Sequence, residues 1–283
     1  MPELPEVETV VRQVAPGVVG RRVESLDVRW ARTLEGGTRA RVDRALVGRR
    51  IERARRRAKW IVLDLEGGDA LLVHLRMTGR LFVRGPKDEP SEYLRLSLGL
   101  SGRKRLDFED VRKFGRVRWT RDAEAEFADL GPEPLDDAFT EESLHERLVS
   151  RSRMLKPLLL DQTVVAGLGN IYVDETLFES GLHPLRDSRT LGRDDTSRIH
   201  ASMRRILARA ILQEGSSFDV FYRTPEGKPG RFQDEFRVYG REGKSCVRCG
   251  GEVVKIVVAQ RGTHLCPVCQ PRPRARRRAR ATS

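Results

Sequence analysis

The sequence has few aromatic residues, only four cysteines and no long apolar stretch. Aromatic side chains make up 6% of the 283 residues and hydrophobic residues 39%. No segment approaches the roughly 18 consecutive apolar residues that a membrane-spanning helix needs, and the first residues lack the basic and then apolar pattern of a signal peptide. These absences argue against a membrane protein and predict a folded cytosolic chain, long enough for two domains.

Acidic residues are outnumbered by basic ones. The chain has 54 lysines and arginines against 41 aspartates and glutamates, which gives a net charge of +13. The last thirteen residues contain six arginines and no acid, so the rest of the chain still carries +7. A folded body of this charge indicates a polyanionic partner, most often nucleic acid bound through its phosphates. The alternative is positive charge that only maintains solubility.

The apolar pattern changes along the chain. From Val7 to Val14, valines recur at the spacing of an amphipathic helix, and Pro16 with the following glycine predicts where that helix ends. Between residues 23 and 120, short apolar runs, several of them alternating with polar residues, favour antiparallel strands of a sandwich or barrel. Helical periodicity takes over after residue 140.

The sequence LGPEPLDD lies between the strand-like and helical regions, and its two prolines and glycine are typical of a linker. The pattern predicts an α+β protein with an N-terminal antiparallel β-sandwich flanked by helices, then a helical domain and a cysteine-bearing module. The predicted segments are a β domain at 1–130, a linker at 131–139, a helical domain at 140–235, a cysteine module at 236–270 and a basic, disordered tail at 271–283.

All four cysteines lie close together near the C-terminus. Cys246 and Cys249 form one CxxC pair, Cys266 and Cys269 form another, and sixteen residues separate the pairs. Two such pairs can place four thiolates tetrahedrally around one Zn²⁺ ion, with no position left open for catalysis. The pattern therefore predicts a structural zinc ion. Disulfides are the alternative, and a cytosolic location disfavours them.

The sequence EVVKIVVAQRGTHL, between the cysteine pairs, predicts a β-hairpin with Gln260, Arg261 and Gly262 at its tip. A hairpin held by zinc could present Arg261 to a phosphate. The alternative is an arginine that is simply exposed in a turn, and the basic surroundings favour the phosphate contact.

Three motifs, in this order, resemble the formamidopyrimidine-DNA glycosylase family: the opening PELPEVE, the turn GLGNIYVDE and the four-cysteine finger. The resemblance runs from Pro2 to about Gln270. It implies a two-layer β-sandwich joined to a helix-two-turn-helix and zinc-finger domain. It also implies removal of oxidised purines, chiefly 8-oxoguanine and formamidopyrimidines, from double-stranded DNA through a Schiff base. Strand cleavage at the abasic site by β/δ-elimination would follow.

The resemblance gives the first residues a catalytic role. Once Met1 is removed, the secondary amine of Pro2 could attack C1′ of the damaged nucleotide and leave an iminium ion. Glu3 would transfer protons at the sugar ring, and Glu6 would help to position Glu3 and the amine. The alternative for both glutamates is complementarity to a helix dipole, worth under about 1 kcal/mol each.

Two residues match family positions that contact the DNA backbone. Lys59, in the sequence RRRAKW, matches a lysine that contacts a phosphate and assists catalysis. His74, in HLRMTG, matches a phosphate contact. The alternatives are a solvated lysine at the end of a strand and a histidine with a structural hydrogen bond.

Extrusion of a base leaves a gap in the duplex that side chains must fill. The family's void-filling residues correspond to Met77, Arg112 and Phe114. The chain departs from the family at neighbouring positions, with Val111 and Lys113 where other members have proline and arginine, and Arg76 where glycine is frequent. These departures put only local DNA contacts in doubt.

Three further residues are implicated by the resemblance. Asn170 lies where the glycine-rich turn opens a helix that can grip a phosphate, and Lys156 matches another basic DNA contact. Lys228 belongs to a loop, Thr224–Phe232, that would close over the flipped base; the alternative is an ordinary surface loop.

The leading hypothesis is a bifunctional DNA glycosylase and abasic-site lyase, monomeric and located in the bacterial cytosol or nucleoid. An endonuclease VIII-like enzyme that prefers oxidised pyrimidines is one alternative, although such enzymes usually have another residue in place of Leu4. A non-catalytic protein that binds damaged DNA is the other, and the presence of Pro2, Glu3 and Lys59 argues against it.

Overall fold

The structure, a computed structural model, describes residues 1–217 and 222–273. Within these residues the chain forms two compact units that do not follow chain order. The first comprises Met1–Leu135, Val165–Leu168 and Leu207–Glu235, and the second comprises Asp136–Val164, Gly169–Ile206 and the described residues from Phe236 onwards. The sequence-based segments differ from this division, because the described residues of Leu207–Glu235 belong to the unit that contains the β domain. From residue 274 onwards, the predicted basic tail lies outside the described residues.

The first unit contains two β-sheets with their apolar faces in one core. Its strands are β1 (Val23–Val28), β2 (Leu34–Glu35), β3 (Ile51–Arg57), β4 (Trp60–Leu65), β5 (Ala70–His74), β6 (Gly79–Arg84), β7 (Leu94–Leu100), β8 (Lys104–Asp110) and β9 (Arg116–Thr120). One sheet has the order β1-β7-β8-β6 and the other β2-β9-β5-β4-β3. All neighbouring strands are antiparallel except the short β2–β9 pair. The antiparallel strands inferred from alternation are thus present as two layers.

Helix α1 (Leu4–Val18) covers the core of the first unit with the valines that the sequence pattern identified. It continues through Pro16, so the predicted end at Pro16 is wrong. Proline disrupts a helix interior by removing one N–H and crowding the carbonyl four residues earlier. Pro16 lies in the last turn of α1. Helical hydrogen bonding continues past it, since Val19 N donates to Ala15 O. Two short helices complete this region, α2 (Arg39–Leu46) and α3 (Ala123–Glu126).

The second unit is helical with a small hairpin. Its elements are α4 (Glu141–Val149), α5 (Leu155–Leu160), α6 (Asn170–Ser180), α7 (Arg193–Leu212), β10 (Val254–Val258) and β11 (Arg261–Leu265). Residues 193–206 of helix α7 belong to this unit, and residues 207–212 belong to the first unit. The α+β fold class predicted from the sequence is confirmed. None of the helices in the described residues has the length and apolar character needed to cross a membrane.

Candidate active site and DNA interface

The first residues of the chain are fixed at the start of α1. Pro2 is buried and Glu3, the residue that precedes the helix, is only 3% exposed. Leu4 N donates to Gly167 O at 3.1 Å. Gly167 has φ +87°, and a side chain there would meet Leu4 at 2.7 Å, so the glycine of the GLGN motif allows this close approach. The N-terminal residues are therefore held by backbone contacts as well as by the helix.

Glu6 links this terminus to a segment far along the chain. Its Oε2 accepts from Glu3 N at 2.8 Å, and its Oε1 accepts from Ser216 N at 2.7 Å. Gly215 has φ +76°, and a Cβ at that position would lie 2.7 Å from Glu6 Oε1. Both carboxylate oxygens are thus engaged with backbone amides. The positioning role expected for Glu6 stays a prediction, but its carboxylate makes two hydrogen bonds in addition to any interaction with the helix dipole.

Lys59 lies in the tight turn between β3 and β4. Its side chain is 7% exposed, and Ala58 before it has φ +51°, a left-handed conformation that is strained for a residue other than glycine. Glu133 secures this turn by accepting from Ala58 N at 2.6 Å and from Arg57 Nη1 at 3.0 Å. Burial disfavours ionisation of Glu133, but Arg56 and the Ala58 amide outweigh it and hold the pKa of this carboxyl below its usual value.

The sequence reasoning assigned Glu133 only to the linker. No local sequence pattern indicates that Glu133 would hold the turn of Lys59, since Glu133 and Ala58 are 75 positions apart in the chain. Only the folded chain brings the two together.

His74 ends β5 opposite Trp60 and is 7% exposed. Its Nδ1 accepts from Arg76 N at 3.0 Å, which leaves the proton of the neutral ring on Nε2. Burial, with the nearby charges of Arg76 and Lys59, lowers the pKa of His74 from 6.5 to about 3. His74 is therefore a neutral hydrogen-bond donor at physiological pH. Its predicted phosphate contact would carry no charge.

The lowered pKa makes stability depend on pH. Below pH 6.5 the unfolded chain binds a proton at His74 and the folded protein does not, so the folded state loses stability as the pH falls from 6.5 towards 3. We expect wild type to lose about 2 kcal/mol more than a His74→Gln variant between pH 7 and pH 5. Urea unfolding at each pH, followed by tryptophan fluorescence, measures the difference. Identical losses in the two proteins would contradict this assignment.

Met77, Arg112 and Phe114 come together on the surface of the first unit. Arg112 Nη1 donates to Met77 Sδ at 3.2 Å, and its guanidinium lies 4.7 Å from the centre of the Phe114 ring. Met77 is 39% and Phe114 46% exposed. Two exposed apolar side chains beside an arginine suit insertion into a base stack. The three residues predicted to fill the void therefore lie together on the surface.

Asp110, which sequence reasoning missed, holds the two loops of this trio. It is buried, and its carboxylate accepts from Thr78 Oγ1, from Arg112 N at 3.2 Å and from Gly115 N at 2.7 Å. A carboxylate that accepts backbone amides on one loop and a hydroxyl on the other fixes their separation. The only available signal was an aspartate at the end of an apolar strand, as the first residue of the sequence DVRKFG.

The loop Thr224–Phe232 is anchored at its base beside Glu6. Gly230 N donates to Ser217 Oγ at 3.0 Å, and Ser217 follows the Ser216 amide that binds Glu6. Lys228 is exposed and pairs with Glu226 at 2.8 Å. The hydrogen bond to Glu226, together with the negative charge of that carboxylate, raises the pKa of Lys228. Its predicted contact with DNA would therefore replace a weak surface ion pair.

In the second unit, the first residue of α6 meets the zinc hairpin. Asn170 Nδ2 donates to Gly262 O at 3.0 Å, next to Arg261. The turn of the hairpin is Ala259-Gln260, with φ +47° and +61°, and Arg261 is exposed as the first residue of β11. The predicted tip is thus displaced by about one residue. Asn170, one of the residues expected to contact DNA, is therefore bonded to the residue that follows Arg261, another of them.

Lys156 departs from the expectation of a direct DNA contact. It is fully buried, and its Nζ binds Asp174 Oδ1 at 2.6 Å and Gly262 O at 3.1 Å. The cost of removing an ammonium from water is offset here by a carboxylate and a carbonyl. The lysine therefore supports the hairpin residue that Asn170 also binds, and it does not present its charge to solvent.

The four cysteines form a compact cluster. Their Sγ atoms all lie within 4.8 Å of one another, with Cys246–Cys269 at 3.9 Å and Cys249–Cys266 at 3.5 Å. Tetrahedral zinc with Zn–S bonds of about 2.3 Å requires S–S separations of about 3.8 Å, whereas a disulfide would need about 2.05 Å. The cluster fits one structural zinc ion with all four positions filled by protein.

Comparison with known proteins gives consistent matches along the chain. The profile of the formamidopyrimidine-DNA glycosylase N-terminal domain matches residues 1–117. That of the formamidopyrimidine-DNA glycosylase H2TH domain matches 130–221, and that of the zinc finger found in FPG and IleRS matches 243–272.

Full-length relatives and solved structures agree with these profiles. A formamidopyrimidine-DNA glycosylase of Roseiflexus sp. is 45% identical, covering 95% of this chain and 100% of the relative, and one of Chloroflexus aggregans is 44% identical, covering 95% and 98%. A mutant Lactococcus lactis FPG bound to DNA containing Fapy-dG superposes with a TM-score of 0.88 at 36% identity, covering 96% and 100%. The MutM (FPG) protein of Thermus thermophilus gives 0.85 at 42%, covering 95% and 98%.

Proposed function

Because this chain belongs to the formamidopyrimidine-DNA glycosylase family, we propose that it is a base-excision repair enzyme that removes oxidised purines from duplex DNA and then cleaves the strand. The observation that carries the proposal is the N-terminus. Pro2 and Glu3 are buried together at the start of α1, and the Glu6 carboxylate joins the backbone amide of Glu3 to that of Ser216, on a distant segment. A short N-terminal segment serving only to cap a helix would not need this second anchor.

The chemistry follows from the type of amine. An amide nitrogen is not nucleophilic, so Pro2 acts only after Met1 is removed. Its secondary amine attacks C1′, the bond from C1′ to the base breaks, and the base leaves with a proton supplied through the site. The nitrogen then gives up its proton, and the bond from C1′ to O4′ breaks as O4′ takes up a proton. The sugar ring is thereby opened, and the resulting iminium carries no N–H and stays cationic. It withdraws electrons from C2′, which loses a proton as the 3′-phosphate departs.

The roles of the neighbouring residues follow from their placement. Glu3 is the proposed general acid–base at the sugar ring, and Glu6 positions it. Lys59 lies in the β3–β4 turn that Glu133 holds. It is the lysine proposed to contact a phosphate and to assist catalysis. The zinc cluster holds the hairpin that carries Arg261; the bound ion would supply structural stability only, because its four ligands leave no open position.

The DNA-contacting role divides between the two units. In the first, Met77, Arg112 and Phe114 would fill the space left by the extruded base, with His74 as a neutral backbone donor and Lys228 in the loop over the base. In the second, Asn170 and Arg261 would bind phosphate. The bacterial sources of the relatives support action on the chromosome in the bacterial cytoplasm.

A panel of duplexes tests the proposal. We expect 8-oxoguanine and formamidopyrimidine to be removed at least about tenfold faster than an oxidised pyrimidine, with both strand ends phosphorylated after β/δ-elimination. The Glu3→Gln variant, which removes the acid–base group and keeps the side-chain size, is the control. Faster removal of the pyrimidine would identify an endonuclease VIII-like enzyme, and tight binding without excision of any lesion would identify a non-catalytic binder.

A further inference from the structure

The loop that joins β5 to β6 carries an arginine with an unusual backbone. Arg76 has φ +53°, a left-handed conformation that costs a residue with a side chain about 1 kcal/mol or more relative to glycine. The conformation lets Arg76 N donate to His74 Nδ1 at 3.0 Å. Glycine would adopt this backbone without strain and make the same hydrogen bond. The backbone alone therefore does not explain an arginine here.

The guanidinium of Arg76 is available for a partner. The residue is exposed, and its side chain makes no hydrogen bond or ion pair with any of the residues that the structure describes. Several other arginines of this unit are neutralised by carboxylates: Arg55 by Asp64, Arg105 by Asp107 and Arg118 by Glu35. Arg76 is thus an uncompensated cation in a unit where such pairs are common.

The location of Arg76 indicates what it would meet. It directly precedes Met77, whose sulfur contacts Arg112 in the exposed trio. A side chain that enters a base stack brings its own loop against the sugar-phosphate backbone, where a duplex presents about one negative charge per 1.7 Å of its axis. His74, two residues before Arg76, is neutral and cannot balance the negative charge of the phosphates. Arg76 is the nearest cation in the same loop.

We propose that Arg76 binds a DNA phosphate beside the inserted Met77 and supplies the positive charge of this loop. The inference rests on the proposed function, since it requires that the trio enters a duplex. It adds to that function a charged contact at a position whose left-handed backbone does not itself require an arginine. The phosphate, rather than a base edge, is favoured because an unpaired, flexible guanidinium gains most from a dense line of charges.

The dependence of affinity on salt tests the proposal. The dissociation constant of each protein is measured by fluorescence anisotropy over a series of KCl concentrations, with a duplex that contains a tetrahydrofuran abasic-site analogue. For Arg76→Gln we expect the slope of log K against log[salt] to fall in magnitude by about 0.9, and the affinity at 0.1 M salt to fall about eightfold. Arg76→Lys keeps the charge and should retain the wild-type slope.

Arg103 provides a matched control. It is also an exposed arginine with a left-handed backbone, φ +58°, and it lies in the turn before β8, at the end of that strand opposite to Asp110. Arg103→Gln removes the same charge and retains similar backbone strain, and should leave the slope unchanged. Thermal unfolding of all variants checks that each is folded.

Each outcome bears on the proposal. A reduced slope for Arg76→Gln but not for Arg103→Gln supports it. An unchanged slope and affinity would overturn it, and so would an affinity loss that depends on the base opposite the lesion at constant slope, which would indicate a base contact. If wild type binds the lesion duplex no better than undamaged DNA and excises nothing, the proposed function itself fails, and that result is separate from any effect at Arg76.

Discussion

Replacement of Pro2 by leucine is expected to abolish covalent trapping of the protein on damaged DNA. Methionine is removed only before small residues, so this variant retains Met1 and has no nucleophilic amine at position 2. With sodium borohydride and an 8-oxoguanine duplex, wild type should form a reduced covalent adduct and the variant none. We expect excision to fall by at least about 1000-fold, as when other covalent enzymes lose their nucleophile. Gel electrophoresis under denaturing conditions measures both.

The Pro2→Ala variant distinguishes the contribution of the terminal amine from that of the proline ring. Alanine permits removal of Met1 and supplies a primary amine at the same position, so some adduct should remain. Its imine can lose its charge by deprotonation, and strand cleavage should therefore slow more than trapping does. An adduct in Pro2→Leu equal to that of wild type would place the nucleophile elsewhere, for example at Lys59.

Asp174→Asn is expected to destabilise the second unit by about 3–5 kcal/mol, because it leaves the buried ammonium of Lys156 without its counter-charge. Asp174 Oδ2 also accepts from His264 N at 2.9 Å, so the substitution weakens the anchoring of the hairpin. Urea unfolding, monitored by the release of zinc to a chelating dye, reports on the stability of this unit. Tryptophan fluorescence serves as the reference, since all three tryptophans lie in the first unit.

Two controls give this result its meaning. Glu142→Gln breaks the exposed Arg193–Glu142 pair and should leave the free energy of unfolding almost unchanged. The double substitution Lys156→Met with Asp174→Leu replaces both charges by apolar groups and should recover part of the stability, since no buried charge is left unpaired but His264 N still loses its acceptor. A cost for Asp174→Asn no larger than that of Glu142→Gln would show that the buried pair contributes little.

Periodic and local signals in the sequence predicted the fold well. The valine spacing predicted α1, alternation predicted the antiparallel strands, and two CxxC pairs predicted the metal cluster that the four sulfur atoms form. These signals work because each depends on residues close together in the chain. The end of α1 was misjudged for the opposite reason, because a proline in a last turn disturbs less than one in a helix interior.

Charged groups buried between distant segments were harder to predict. In the sequence NIYVDE, Asp174 and Glu175 read as parts of a DNA-binding motif, yet both are buried. Glu175 accepts from the backbone amides of residues 237–239, and Asp174 binds Lys156. Burial raises the pKa of Glu175, against the effect of these amides. Nothing local reveals such partners, since sequence position does not show which carboxylates the fold will enclose.

The bond between Glu6 and Ser216 joins residues 210 positions apart. During synthesis at about 5–20 residues per second, the ribosome therefore needs about 10 to 40 seconds after making the N-terminus before that partner exists. Throughout this interval the first residues cannot be locked in their final place, and the processing enzyme that removes Met1 has access to them. The bond from Ser216 N to Glu6 can therefore form only after the first residues have been available for the removal of Met1.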